Sequence, residues 1–398
     1  MRAYTEKTII PRELSKVMLD LAKKYPIVTL TGPRQSGKTT LARTLFPDKF
    51  YVNFERPDIR EYFLDDPIGF LAPYSAGAIF DEIQRVPSLA SYLQVMVDEK
   101  KQNNRFILTG SAQFEVFNLI QQSLAGRTAI LRLLPFSISE LESCGQSQNL
   151  NKQLFTGFYP RIYDHELNPN QMYADYVQTY IERDVRNFSE IKNLDTFQRF
   201  LRLCAGRVGQ LLNLDALGAD TGISGVQARA WLNILEASYI VFRLPPWFSN
   251  IGKRLIKTPK LYFYDVGLAS WLLGIEEAEQ LESHPLRGNI FENLIISEAL
   301  KYRFNRGKNA GLYFFRDAKG MEVDLLYPKG HQFFPIEIKA GQTVASDFFI
   351  HIEKVQNLLP EVFLDGMLIY SGNEEYIRRN TQVLHYANLT HALDTRFA

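Results

Sequence analysis

The chain has 398 residues, of which 46% are hydrophobic and 22% charged, with a formal net charge of +1. That length exceeds one ordinary core and implies two or three domains, while the composition excludes a disordered or fibrous chain. The balanced charge excludes a global basic field, no run of about eighteen apolar residues offers a membrane span, and two cysteines, Cys144 and Cys204, cannot build a disulfide framework.

Taken in order, the opening segment up to Tyr25 has scattered charges instead of the apolar centre of a signal peptide, so an amphipathic helix is expected ahead of the first strand. A short apolar strand follows (Ile27, Val28, Leu30) and stops at Gly32. Gly37, Lys38 and Thr39 come next, and a helical pattern begins. This is G-x-x-x-x-G-K-[ST] between strand and helix. Such a loop wraps a polyphosphate with its amides and with the positive end of the following helix. Gly32, Pro33, Arg34, Gln35, Ser36, Gly37, Lys38, Thr39 and Thr40 are the expected ATP-binding residues. Lys38 reaches the β- and γ-phosphates, and the Thr39 hydroxyl ligates Mg²⁺. Arg34 either contacts nucleotide or projects into solvent. A nucleoside triphosphate partner makes the cytoplasm the expected compartment.

A second strand is expected over 50–54. A third, from Gly77 to Phe80, ends in Asp81 and Glu82. Ligands of a parallel α/β sheet sit at the carboxyl ends of strands, so Asp81 is expected to hold Mg²⁺ with Thr39, and Glu82 to polarise the attacking water. Leu89, Leu93 and Val97 share one face of a helix. The next strand ends in Thr109, Gly110 and Ser111, and Ser111 either senses the γ-phosphate or caps the next helix. Arg127 follows a helix and a glycine. It either reaches a neighbouring subunit's γ-phosphate or is a solvated loop arginine.

The motifs TGPRQSGKTT, IFDEIQ, FILTGS and SLAGR, in this order and spacing, resemble a prokaryotic AAA-type ATPase family with a C-terminal domain of unknown function. The resemblance implies an ATP hydrolase that works as a homo-oligomer.

The polar stretch 144–153 marks the end of this ATPase domain, 1–145. A helical middle, 146–280, is expected to begin with a long amphipathic helix over 171–188, with Glu182, Arg183 and Asp184 on its polar face. From Phe197 the pattern of helix, turn, helix and two strands reads as a winged helix. Its third helix offers Gln227 and Arg229 to a groove. Its wing offers Lys253, Arg254, Lys257 and Lys260, which could hold a DNA backbone without reading sequence.

The end unit, 281–398, places Glu292 on the apolar face of a helix, where a carboxylate needs a partner. A hairpin follows with Glu322 and Asp324 on one face, then a strand with Glu337 and Lys339 on one face. An acid, about a dozen residues, then acid-x-Lys resembles the PD-(D/E)XK restriction-endonuclease-like superfamily, although Val323 stands where the leading proline would be. The resemblance implies Asp324 and Glu337 as metal ligands, Glu292 as their support and Lys339 as an assistant to the hydrolytic water. The fold expected is therefore α/β throughout: a P-loop parallel-sheet ATPase domain, a helical and winged-helix middle, and a restriction-endonuclease-like end. The function expected is an ATPase acting on DNA, branched DNA included, whose end domain binds or cleaves nucleic acid. A nucleotide-gated switch or scaffold is the alternative, and a small-molecule phosphotransferase is the third reading.

Overall fold

The structure, a computed structural model, describes residues 9–111, 116, 120–181, 193–247 and 257–397. The first unit contains β1 (Ile27–Thr31), β2 (Phe50–Asn53), β3 (Ala78–Asp81), β4 (Phe106–Gly110) and β5 (Thr128–Arg132), in the order β2-β3-β4-β1-β5 with every pairing parallel. Helices α1 (Leu14–Lys24), α2 (Lys38–Leu45), α3 (Pro57–Asp65), α4 (Pro67–Leu71) and α5 (Leu89–Glu99) pack around it.

Both faces of the sheet are covered, which is why β1 is apolar without strict alternation. Val28 and Leu30 join Leu14, Met18, Leu41, Ala42 and Phe46 on one face. Ile27 joins Phe54, Phe63, Phe70, Leu89 and Leu93 on the other. The phosphate-binding loop runs from the end of the central strand β1 to α2.

After α6 (Ile138–Glu142), which ends the first unit, the middle contains α7 (Leu150–Thr156), α8 (Pro160–His165), α9 (Pro169–Tyr176), α10 (Leu194–Ala205), α11 (Leu214–Thr221), α12 (Gly225–Ala237), the antiparallel pair β6 (Val241–Leu244) and β7 (Lys260–Phe263), and α13 (Val266–Leu272). The helix expected over 171–188 begins as α9 and widens into a π turn over Val177–Ile181, where the Thr179 hydroxyl donates to the Asp175 carbonyl. Glu182, Arg183 and Asp184 lie outside the described residues, as do Lys253 and Arg254.

The end unit begins with α14 (Arg287–Asn305). It continues through β8 (Tyr313–Arg316), β9 (Glu322–Lys329), β10 (Gln332–Lys339), α15 (Ile350–Leu358), β11 (Gly366–Tyr370), β12 (Tyr376–Arg378), β13 (Thr381–His385) and α16 (Leu389–Phe397). Its sheet order is β12-β13-β11-β10-β9-β8, with β10 parallel to β11 and antiparallel to β9. The middle and end units are continuous inside. One apolar cluster runs through Leu154, Phe200, Trp231, Tyr262, Ile295, Phe314, Ile336 and Leu393. The edge strand β8 is covered rather than bare, because the Trp247 amide donates to the Phe314 carbonyl and the Phe314 amide to the Pro245 carbonyl. Trp247 then packs on Phe333 and Phe363.

Candidate nucleotide site and C-terminal acid constellation

The loop after β1 owes its shape to two glycines. Gly32 has φ +148°, and a Cβ there would collide with the Leu133 carbonyl at the end of β5. Gly37, at φ +91°, turns the chain into α2. The first glycine therefore answers to the neighbouring strand as well as to phosphate. Lys38 is buried, and its Nζ donates to the carbonyls of Gly32 (3.0 Å) and Pro33 (2.7 Å). Burial pushes the ammonium down to about 8, with Glu82 and Asp81 pulling it back and Arg34 adding to the fall. Arg34 sits 3.9 Å from Glu55, and Thr40 is exposed on α2. The Ser36 hydroxyl and the Gln35 side-chain carbonyl are buried and lack hydrogen-bond partners within the protein. The unpartnered Ser36 hydroxyl, the glycine-shaped backbone with its amides and a lysine at the helix start form a donor set that fits a bound polyphosphate, whereas the Gln35 oxygen, an acceptor, adds nothing to it.

Asp81 lies at the end of β3 beside this loop. One carboxylate oxygen accepts from Thr39 Oγ1 (2.8 Å) and from the Tyr51 hydroxyl (2.7 Å), and the other from Thr109. Burial, together with the adjacent Asp81 charge, keeps the Tyr51 phenol protonated. Glu82 is half-buried in a left-handed conformation, φ +57°, uncommon for a residue with a side chain. Its carboxylate accepts from Gln84 and from Ser111 Oγ at 3.3 Å. The structure thus brings Lys38, Thr39, Asp81, Glu82 and Ser111 together. Tyr51 and Gln84 were missed, and Thr109 was placed at this edge without a role, because single hydroxyls and amides carry no spacing signal.

Arg12 was missed as well. Its buried guanidinium donates to the Ser36 carbonyl (2.8 Å), the Leu134 carbonyl (2.6 Å) and Glu140 (3.1 Å). The phosphate loop is therefore braced from behind by the segment ahead of α1. Arg127 is placed apart from the nucleotide site. Its carbonyl accepts from the Ile27 amide at the start of β1, about 16 Å of strand from the loop, and its guanidinium is paired with Asp98 at 2.7 and 2.8 Å.

The end unit holds a second charged constellation. Asp324 on β9 accepts from the Ile338 amide (2.9 Å), Lys339 lies 2.6 Å from Glu337 and 3.7 Å from Asp324, and Glu292 approaches from α14. Glu292 is pushed up to about 7 and Glu337 to about 8, by burial first and the Asp324 charge second. The four residues singled out in sequence thus meet in space. Among the described residues no group of three or more His, Cys, Asp or Glu side chains is arranged to hold a metal ion.

One expectation is overturned. Lys260, read as a wing cation for DNA, is 3% exposed, and its Nζ lies 2.9 Å from Glu292 and 2.6 Å from Glu322. Strand alternation turns Lys260 and Tyr262 to the same side of β7, toward α14, and both donate to Glu292. Of the other nucleic-acid candidates, Arg229 and Lys257 are exposed and Gln227 is half-buried. No helix among the described residues is long and apolar enough to cross a membrane.

Residues 24–142 match the family described as AAA domain, residues 147–279 a domain of unknown function, DUF8612, and residues 287–389 a domain of unknown function, DUF4143. Solved structures similar to this chain include the Walker-type ATPase PABY2304 of Pyrococcus abyssi, 15% identical with a TM-score of 0.44, over 67% of this chain and 97% of that one. A single-substitution form of RuvB from Thermotoga maritima is 17% identical with a TM-score of 0.30, over 58% and 87%. Among curated relatives, Uncharacterized protein Rv2008c of Mycobacterium tuberculosis and Uncharacterized protein Mb2031c of Mycobacterium bovis are each 31% identical over 322 residues, which is 80% of this chain and 71% of theirs. The chain belongs to the family of these mycobacterial proteins, and its first unit is an AAA domain of the P-loop ATPase type.

Proposed function

We propose that the protein hydrolyses ATP at the Lys38, Thr39, Asp81 and Glu82 site, works as a homo-oligomer and acts on DNA. The observation that carries the reading is Asp81, fixed by three hydroxyls beside a glycine-shaped loop that holds the buried, unpartnered Ser36 hydroxyl and the Lys38 ammonium. The loop amides and the Lys38 ammonium bind the phosphates, Lys38 exchanging two backbone carbonyls for phosphate oxygens. Thr39 and Asp81 would hold Mg²⁺, which when bound supplies electrostatic stabilisation of the phosphate oxygens. Glu82 accepts a hydrogen bond from the attacking water and polarises it. Its position next to Ser111 supports Ser111 as the residue that reports the γ-phosphate. Arg127, at the strand-start edge and paired with Asp98, would act only on a neighbouring subunit's γ-phosphate.

The DNA part leans on Arg229 and Lys257, with Lys253 and Arg254 beyond the described residues. The order of α10, α11, α12, β6 and β7 supports a winged helix. The order of α14, β8, β9, β10, α15 and β11, with Asp324 and Glu337 on adjacent strands, supports a restriction-endonuclease-like end. A second reading, a nucleotide-gated switch whose end unit binds without cleaving, is favoured by the two lysines seated on the acids.

Nucleotide titration and phosphate release test the site. Lys38→Ala should abolish binding. Glu82→Gln should keep it and slow hydrolysis by about 100-fold or more. Wild-type turnover should rise with DNA, and turnover indifferent to every DNA form tried refutes the DNA part alone.

A further inference from the structure

The end-unit acids are served by a cation from outside their own fold. Lys260 belongs to β7, paired with β6 in the middle unit, yet its ammonium sits between Glu292 of α14 and Glu322 of β9. The Tyr262 hydroxyl, from the same face of β7, donates to the same Glu292 oxygen. Arg316 takes the other Glu322 oxygen at 2.6 Å, and Lys339 covers Glu337 and Asp324. The Phe314 ring centroid lies 5.5 Å from the Lys260 Nζ. Burial alone would lower the Lys260 ammonium, but the charges of Glu292, Asp324 and Glu322 outweigh it and hold the group protonated. This is a built arrangement and not a surface pair, because an ammonium so deeply buried persists only where carboxylates surround it.

We propose that Lys260 is the resident cation of the Glu292, Glu322, Asp324 and Glu337 constellation, holding the place a divalent ion would need and fastening the middle unit to the end sheet. A divalent cation entering there must displace an ammonium already in contact with two carboxylates, against repulsion from Lys260 and Lys339 together. The docked strand β7 therefore closes the constellation. The inference goes beyond the proposed ATPase and stands whether or not that reading holds.

Mn²⁺ binding to full-length, nucleotide-free protein tests it, followed by calorimetry and by the electron paramagnetic resonance of free Mn²⁺. Only the part of the signal abolished by Asp324→Asn counts, which sets aside any ion at Asp81. Wild type should show no such part at millimolar Mn²⁺, and Lys260→Met should gain one Asp324-dependent site at least tenfold tighter than anything in wild type. Asp324-dependent Mn²⁺ uptake by wild type overturns the proposal, and so does a folded Lys260→Met protein that gains nothing. Should Lys260→Met fail to fold, Lys260→Met combined with Glu292→Gln removes the carboxylate that loses its cation, Glu322 keeping Arg316, and is read by the same criteria. ATP binding at the phosphate loop, measured in parallel, is expected to be unchanged in all of these variants.

Discussion

Arg12 shows how a single side chain sets the stiffness of the phosphate loop. Three of its donors are satisfied by groups that would otherwise be buried and under-bonded: the Ser36 and Leu134 carbonyls and the Glu140 carboxylate. Glu140 also accepts from the amides of Glu13 and Ser137 at 2.8 and 2.9 Å, so it stays fixed if the arginine is removed. Arg12→Ala would then leave a buried carboxylate without its cation, a loss of about 3–5 kcal/mol. It would also leave the loop carbonyl free to turn. Weaker nucleotide affinity by about tenfold should accompany the loss of stability, with Arg12→Lys recovering part of both. Equilibrium denaturation alongside nucleotide titration checks this. A variant destabilised but unchanged in affinity would make Arg12 a structural tie only.

At the scale of elements, a comparable knot holds the helices of the middle together. Asp265, buried at the start of α13, accepts from the Leu268 amide (3.0 Å), the Phe158 amide (2.7 Å) and the Tyr173 hydroxyl (2.6 Å). It is at once an N-cap and the tie from α13 to α9 and to the turn before α8. Asp265→Ala strands the Leu268 and Phe158 amides in the core, the Tyr173 hydroxyl keeping the Thr156 carbonyl at 2.9 Å, and should cost about 3 kcal/mol, seen as a lowered urea midpoint. The difference between such ties and the phosphate loop explains what could be read beforehand. The loop and the position of Asp81 and Glu82 beside it were legible because strand, turn and helix are contiguous and the glycine spacing is imposed by local backbone geometry. Arg12 and Glu140 are 128 residues apart, and nothing local to either announces the pair. Lys260 was misread for the same reason. Four cations in eight residues looked like a wing facing a DNA backbone until the pairing of β7 and the fully packed α14 placed one of them against Glu292.

Across the whole molecule, α14 joins all three units. Asn293 clasps the Phe263 amide and carbonyl of β7 at 2.7 and 2.8 Å. One turn further, Glu298 accepts from the Ile138 amide at 2.8 Å, and Lys301 donates both to Glu298 (2.7 Å) and to the Phe136 carbonyl (2.8 Å). The AAA unit is therefore fastened to the end unit through a fully buried ion pair. Burial raises the Glu298 carboxyl above the ordinary glutamate value, while Lys301 and the Ile138 amide pull it back only in part. A carboxyl raised on folding binds its proton more tightly in the native state, so its stabilising contribution is complete below the unfolded value near 4.5 and is lost as pH climbs through the folded value. Glu298→Gln keeps the shape and removes the titration. The stability of wild type relative to Glu298→Gln should accordingly fall as pH rises from about 4.5, at no more than about 1.4 kcal/mol per pH unit. Paired urea titrations of the two proteins across that range measure it. A relative stability that instead rose with pH would mean that Lys301 outweighs burial and that the junction is held by a fully formed charge pair.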